Sequence, residues 1–112
     1  MSGKLGNADT ALVEIEKLKD YLLSLTHPEG KAKAKFFKLF GFSEEKPEQL
    51  ETSLRMHGQT RPVVETKVTE HGVKHILECN IQTPDGRNPC VRSVWIVDRG
   101  KAVPRLVTVY PN

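Results

Sequence analysis

Val73-Lys74-His75-Ile76-Leu77-Glu78-Cys79-Asn80-Ile81 decides the fold class. Val73, His75, Leu77, Cys79 and Ile81 alternate with Lys74, Ile76, Glu78 and Asn80. That period of two belongs to a strand, whose successive side chains leave opposite faces of a sheet. Turn signals bound the stretch on both sides, Glu70-His71-Gly72 before it and Thr83-Pro84-Asp85-Gly86 after it. Upstream, Val63 to Thr69 is rich in β-branched residues and reads as a strand. Downstream, Cys90 to Val97 is apolar enough to lie centrally in a sheet. Asp98-Arg99-Gly100-Lys101 then turns the chain, and Arg105 to Tyr110 closes as a fourth strand. Short connections join each strand to the next, so residues 59–112 are expected to form an antiparallel β-meander.

The half before the meander has a different period. From Glu14 to Leu25, the residues Ile15, Leu18, Leu22 and Leu25 recur at spacings of 3, 4 and 3, the mark of an amphipathic helix. A second helix is expected to open at Thr26-His27-Pro28-Glu29-Gly30, with Pro28 as its first residue, where a missing N–H costs nothing. Ala32, Phe36, Leu39 and Phe40 give it an apolar face, Lys31, Lys35 and Lys38 share one side, and Gly41 stops it. A third helix is expected from Pro47 to His57, with Leu50 and Leu54 inward, Gly58 at its end and Ser43 or Lys46 as its cap. The expected architecture is α+β, three N-terminal helices packed on one face of a four-stranded antiparallel β-meander. It is read as one domain over 1–112, with 1–10 loosely ordered, 11–58 helical and 59–112 the meander.

Length and charge narrow the function classes. The chain has 112 residues, room for one domain. Its formal charge is +3, and the excess falls in residues 59–112, which hold eight basic and five acidic side chains. The uncharged apolar runs are far short of the ~20 residues a membrane span needs. No membrane partner is therefore expected, and the polar N-terminus suggests a cytoplasmic protein. Cys79 and Cys90 lie on consecutive strands, placed to be cross-strand neighbours, but in that compartment they are expected to remain reduced thiols, with no disulfide-linked partner. Gly-rich phosphate loops, CxxC, HExxH and GxSxG are missing from the sequence, which points to no cofactor and no metal site.

Two groups of residues stand out for chemistry. His27 precedes a helix start and stands one helical turn from Lys31 and two from Lys35, an arrangement suited to a phosphate ester. Its plainer role is a helix cap beside a solvated lysine face. Arg92 lies inside an apolar strand, where it snorkels to the rim, pairs with Glu78, or presents its fork to an anion. Trp95 reads as core. Arg105 is either a surface charge or a contact to a polyanion.

Four stretches together resemble a known family. They are His27-Pro28-x-Gly30-Lys31-x-Lys33-Ala34-x-Phe36-Phe37, Pro84-Asp85-Gly86-Arg87, Val91-Arg92-Ser93-Val94-Trp95-Ile96-Val97 and Pro104-Arg105-Leu106-Val107-Thr108-x-Tyr110. This set resembles a family of small bacterial domains of unknown function, some of whose members carry the label adhesin. More remotely, the architecture is similar to the barnase–EndoU–colicin–RelE ribonuclease-like fold, many of whose members are toxins that cut RNA without a metal. Several toxin families of that group carry a basic or histidine residue on a helix and end in a Thr-x-aromatic strand, here His27 or Lys31 and Thr108-Val109-Tyr110.

The resemblance implies a ribonuclease-like toxin in which the ribose 2′-OH attacks the adjacent phosphate. His27 would be general acid or base, Lys31 or Lys35 and Arg92 would stabilise the phosphorane, and Thr108 would position it. Lys35, Arg105 and Tyr110 would hold substrate. RNA and a cognate antitoxin or immunity protein are the partners this implies. The alternative is a non-enzymatic interaction module, such as the partner or immunity half of a toxin–antitoxin pair.

Overall fold

The computed structural model describes residues 5–7, 10–14, 31–43 and 45–111. Its elements run α1 (Lys31–Leu39), α2 (Pro47–Thr60), β1 (Val63–Thr69), β2 (Gly72–Asn80), β3 (Cys90–Asp98) and β4 (Arg105–Pro111). The fold is α+β, but two helices rather than three accompany the sheet among the described residues. The expected three-helix layer is corrected accordingly. Residues 15–25 of the first expected helix, and the helix start expected at Pro28, lie outside the described residues.

Helix α2 buries the face its spacing sets out, but α1 does not: of the expected face, Leu39 is exposed and Phe36 and Phe40 are half-buried. In α1, Ala34 and Phe37 are buried, and Gly41 ends the helix with φ of 103°, a conformation glycine adopts without strain. The Gly41 N–H donates to the Lys38 carbonyl and the Phe42 N–H to the Phe37 carbonyl, both at 3.1 Å. The Phe37 and Phe42 rings meet at 5.9 Å, which completes a Schellman stop with its apolar contact. In α2, Pro47 sits in the first turn beside Glu48, and the Lys46 side chain makes no capping bond. Leu50, Leu54 and His57 turn inward at spacings of 4 and 3, and the helix continues past Gly58 to Thr60.

The four strands lie in the order β1-β2-β3-β4, each antiparallel to its neighbour, as the meander requires. Phe37, Leu50 and Leu54 pack on Leu77, Val91, Trp95, Leu106 and Val109 from one face of the sheet. Leu5, Ala11, Val13 and Phe42 join the same core. A register shift interrupts the β3–β4 ladder, where Val94 faces Thr108 and Trp95 faces Leu106. Strict alternation would put Leu106 with Thr108. The shift instead turns Leu106 and Val109 inward together and leaves Arg105, Thr108 and Tyr110 on the opposite face.

The outer edge of β4 is covered. Leu12 forms a parallel bridge to Arg105, donating its N–H to the Pro104 carbonyl and accepting from the Leu106 N–H, both at 2.9 Å. Arg55 of α2 ties down the same segment by donating to the Ala11 carbonyl.

Cys79 and Cys90 form a disulfide, contrary to the expectation of free thiols. Cys79 faces Val91 and Cys90 faces Asn80 across the β2–β3 ladder, and this puts the two Cα atoms 4.3 Å apart. The two cysteines are diagonal neighbours at the end of the ladder, the adjacency their consecutive strands suggested, and compartment was the wrong guide to their state.

Candidate functional site

Two polar arrangements stand out, one inside the core and one on the sheet face turned away from it. The inner one joins His57, Ser93 and Trp95. His57 and Ser93 are 1% and 0% exposed. His57 Nε2 lies 3.0 Å from the Cys79 carbonyl oxygen, which only accepts, so Nε2 carries the proton. Nδ1 then accepts from the Ser93 hydroxyl at 2.8 Å, and Trp95 Nε1 donates to the same hydroxyl at 2.9 Å. Burial pushes the His57 pKa below its ordinary value and keeps the ring neutral. A serine beside a histidine has the outline of a nucleophile and its base. Here both groups are sealed in the core with their hydrogen bonds made, so the trio is structural.

The outer arrangement follows from strand register. Residues directly opposite in an antiparallel ladder share a face. Glu78, Arg92 and Tyr110 therefore form one row across β2, β3 and β4, with Ile76, Val94 and Thr108 beside it and Lys74, Ile96 and Arg105 next. Arg92 Nε and Nη2 both donate to Glu78 Oε1 at 2.7 Å. Hydrogen bonds to the Tyr110 hydroxyl and to Glu78 raise the Arg92 pKa, so the guanidinium stays charged. Lys33 reaches this face from α1 and donates from Nζ to Thr108 Oγ1 at 2.6 Å. Arg105 makes a two-pronged pair with Asp98 at 2.6 and 3.0 Å, which holds the Asp98 carboxyl below its usual range.

The β2–β3 loop fixes the C-terminal end of α1, the end away from Lys33. Arg87 donates to the Leu39 carbonyl at 2.6 Å and lies over the Phe40 ring at 4.4 Å. Asp85 orients it by accepting from Arg87 Nε at 2.5 Å and from the Thr83 hydroxyl at 2.7 Å. A cation at a helix C-terminus also complements the backbone dipole there. The Pro84-Asp85-Gly86-Arg87 stretch is thus a clamp on α1.

Of the residues singled out in the sequence, Arg92, Thr108 and Tyr110 come together, and Arg105 lies two rows away, roughly 13 Å along the strands. His27 lies outside the described residues, and Lys31 is described in its backbone alone. Lys35 is exposed and stands two residues beyond Lys33, on another side of α1. The lysine that reaches Thr108 is Lys33, which the sequence argument passed over. Its signal was its place directly before buried Ala34, at the border of the apolar face. His57 was missed too, although Leu50, Leu54 and His57 keep helical spacing. Arg92 pairs with Glu78, one of the three roles open to it.

The cluster offers a planar cationic fork, an ammonium group, a hydroxyl and a phenol on one surface. That is a donor set for an anion such as a phosphodiester.

The family model described as Domain of unknown function (DUF6883) matches residues 4–112. Comparison with curated proteins found no match. Among solved structures, the chain is similar to one described as a contact-dependent growth inhibition toxin–immunity protein complex from Klebsiella pneumoniae 342. The TM-score is 0.72 at 17% identity, covering 95% of this chain and 97% of that one. At that identity the likeness is one of fold.

Proposed function

This chain belongs to the DUF6883 family, and we propose that it is a toxin domain that cleaves RNA without a metal, under the restraint of an immunity protein. The observation that carries this reading is the convergence of Arg92, Thr108, Tyr110 and Lys33 on one sheet face. The fold likeness to a chain of a toxin–immunity protein complex supports the partner class.

In the reaction proposed, a ribose 2′-oxygen attacks the neighbouring phosphorus and the 5′-oxygen leaves, giving a 2′,3′-cyclic phosphate. Negative charge gathers on the non-bridging oxygens as the phosphorus becomes five-coordinate. Arg92, held in place by Glu78, donates its remaining N–H groups to those oxygens. Lys33 adds a second positive charge, and the Thr108 hydroxyl turns its own proton toward the phosphate. Donors fixed in advance stabilise that charge without reorganising during the reaction. His27 is the proton carrier, taking the 2′-OH proton as base or supplying one to the departing 5′-oxygen as acid while water exchanges the other, and Lys31 adds positive charge. Tyr110, Lys35 and Arg105 hold the flanking RNA.

Incubating the purified chain with total RNA in chelator tests the reading. The wild type is expected to degrade the RNA, and Arg92→Ala to lose activity by roughly 10²-fold or more. His27→Ala should be as severe, with the thermal midpoint close to wild type. Arg92→Ala should also weaken RNA binding, by a margin that shrinks as salt rises. RNA left intact at high protein concentration, or cleavage that chelator stops, overturns the reading.

A further inference from the structure

The two edges of the sheet are not alike. The segment around Leu12 covers the β4 edge. Among the described residues, no strand pairs with the outer edge of β1, at the other end of the order. Five of its seven residues, Val63, Val64, Thr66, Val68 and Thr69, are β-branched, and the five central positions are exposed. Val68 is 83% and Val64 48% exposed. An edge of this kind presents free backbone N–H and C=O groups to any strand that matches it, and proteins that avoid such pairing blunt it with unopposed charge. Here the charges come as one of each sign. Glu65 and Lys67 lie 3.8 Å apart on the same face, with side chains 47% and 60% exposed.

The sequence of β1 is self-complementary about its midpoint. Let a second β1 run antiparallel to the first, with the two-fold axis at Thr66. Val64 of each copy then faces Val68 of the other, Glu65 faces Lys67, and Thr66 faces Thr66. Every pair is favourable in kind: apolar on apolar, acid on base, hydroxyl on hydroxyl. A slip of one residue either way sets Val64 against Lys67 or Glu65 against Val68 and loses all three. We propose that the β1 edge is a homodimer interface at which a second copy of this chain pairs in that register, giving a continuous eight-stranded sheet.

The symmetry is isologous and closes at two copies. Opposed residues share a face, so both Arg92 clusters lie on the same side of the joined sheet. The bulge between Val63 and Glu65 takes in Val64, so the regular pairing runs from Glu65 to Lys67 and the Val64–Val68 contacts flank it. So short an interface makes a weak, concentration-dependent dimer. The proposal assumes nothing about RNA chemistry.

Sedimentation of the full chain between about 10 μM and about 1 mM tests it, a range that brackets weak association. The wild type is expected to pass reversibly from monomer to dimer. Glu65→Lys sets two lysine–lysine contacts across the axis, and Lys67→Glu sets two glutamate contacts. Each should raise the dissociation constant roughly tenfold or more. The double variant Glu65→Lys/Lys67→Glu restores opposite charges and should restore the dimer. Both substitutions fall on exposed side chains, so thermal midpoints of all three variants should stay near wild type. A wild type that is monomeric throughout overturns the proposal, as does a dimer that neither single variant weakens. So does a double variant no better than the singles.

Discussion

His57 shows how one buried side chain makes stability depend on pH. Its neutral ring joins the Cys79 carbonyl to the Ser93 hydroxyl, and burial holds its folded pKa below the ordinary value. The unfolded chain, with histidine near 6.5, therefore binds the proton more readily than the folded one. This part of the stability is complete above about pH 6.5 and falls away as pH drops toward the folded value. The thermal midpoint of the wild type should decline as the pH falls below about 6.5. His57→Gln, which has no charge to gain, should flatten most of that decline at the cost of a lower midpoint at pH 7. His75, whose pKa burial also lowers, accounts for the remainder. An unchanged slope in the variant would place the titration elsewhere. The sequence carried the spacing that sends His57 inward. It carried nothing to show that Ser93 and the Cys79 carbonyl wait there, because those partners come from strands 22 and 36 residues away.

The seam between α2 and the sheet depends on a missing side chain. A Cβ on Gly58 would stand 2.8 Å from Trp95 Cζ2, closer than atoms in a packed core allow. Gly58→Ala gains about 1 kcal/mol of helix propensity but overpacks the indole at about 1–3 kcal/mol. A net loss of stability is expected in denaturant unfolding. A gain would mean that the helix lifts off Trp95 freely. This glycine read as a helix stop in the sequence because glycine is common there, whereas its actual task is close approach. The strands themselves were legible almost to the residue, since period two and Gly- or Pro-marked turns are local signals. The β4 register shift was not legible, as it arises where two strands meet. It gathers Arg105, Thr108 and Tyr110 on one face. The disulfide was missed for another reason: the cysteines were legible as cross-strand neighbours, and the inference from compartment left them reduced.

At the scale of the whole molecule, the two faces of the sheet differ. One packs the apolar core under α1 and α2, and the other sets the cationic and hydroxyl-bearing cluster centred on Arg92 beside buried Ile76, Val94 and Ile96. Sequence alone put Arg92, Thr108 and Tyr110 forward, partly through resemblance, and it chose Lys31 and Lys35 where Lys33 is the lysine at Thr108. Lys33 stands two residues from each of those, roughly 200° around a helix, and so faces the other way. RNA cleavage by attack of the 2′-oxygen is the central claim, and the chemistry of the ends it leaves is its most direct test. A short RNA of defined sequence, incubated with the wild-type chain in chelator, should yield fragments ending in 2′,3′-cyclic phosphate and beginning with 5′-hydroxyl. The same oligomer with a 2′-deoxyribose at the cleaved position should stay intact there. Fragments with 3′-hydroxyl and 5′-phosphate ends, or equal cleavage of the deoxy-substituted strand, would contradict the account.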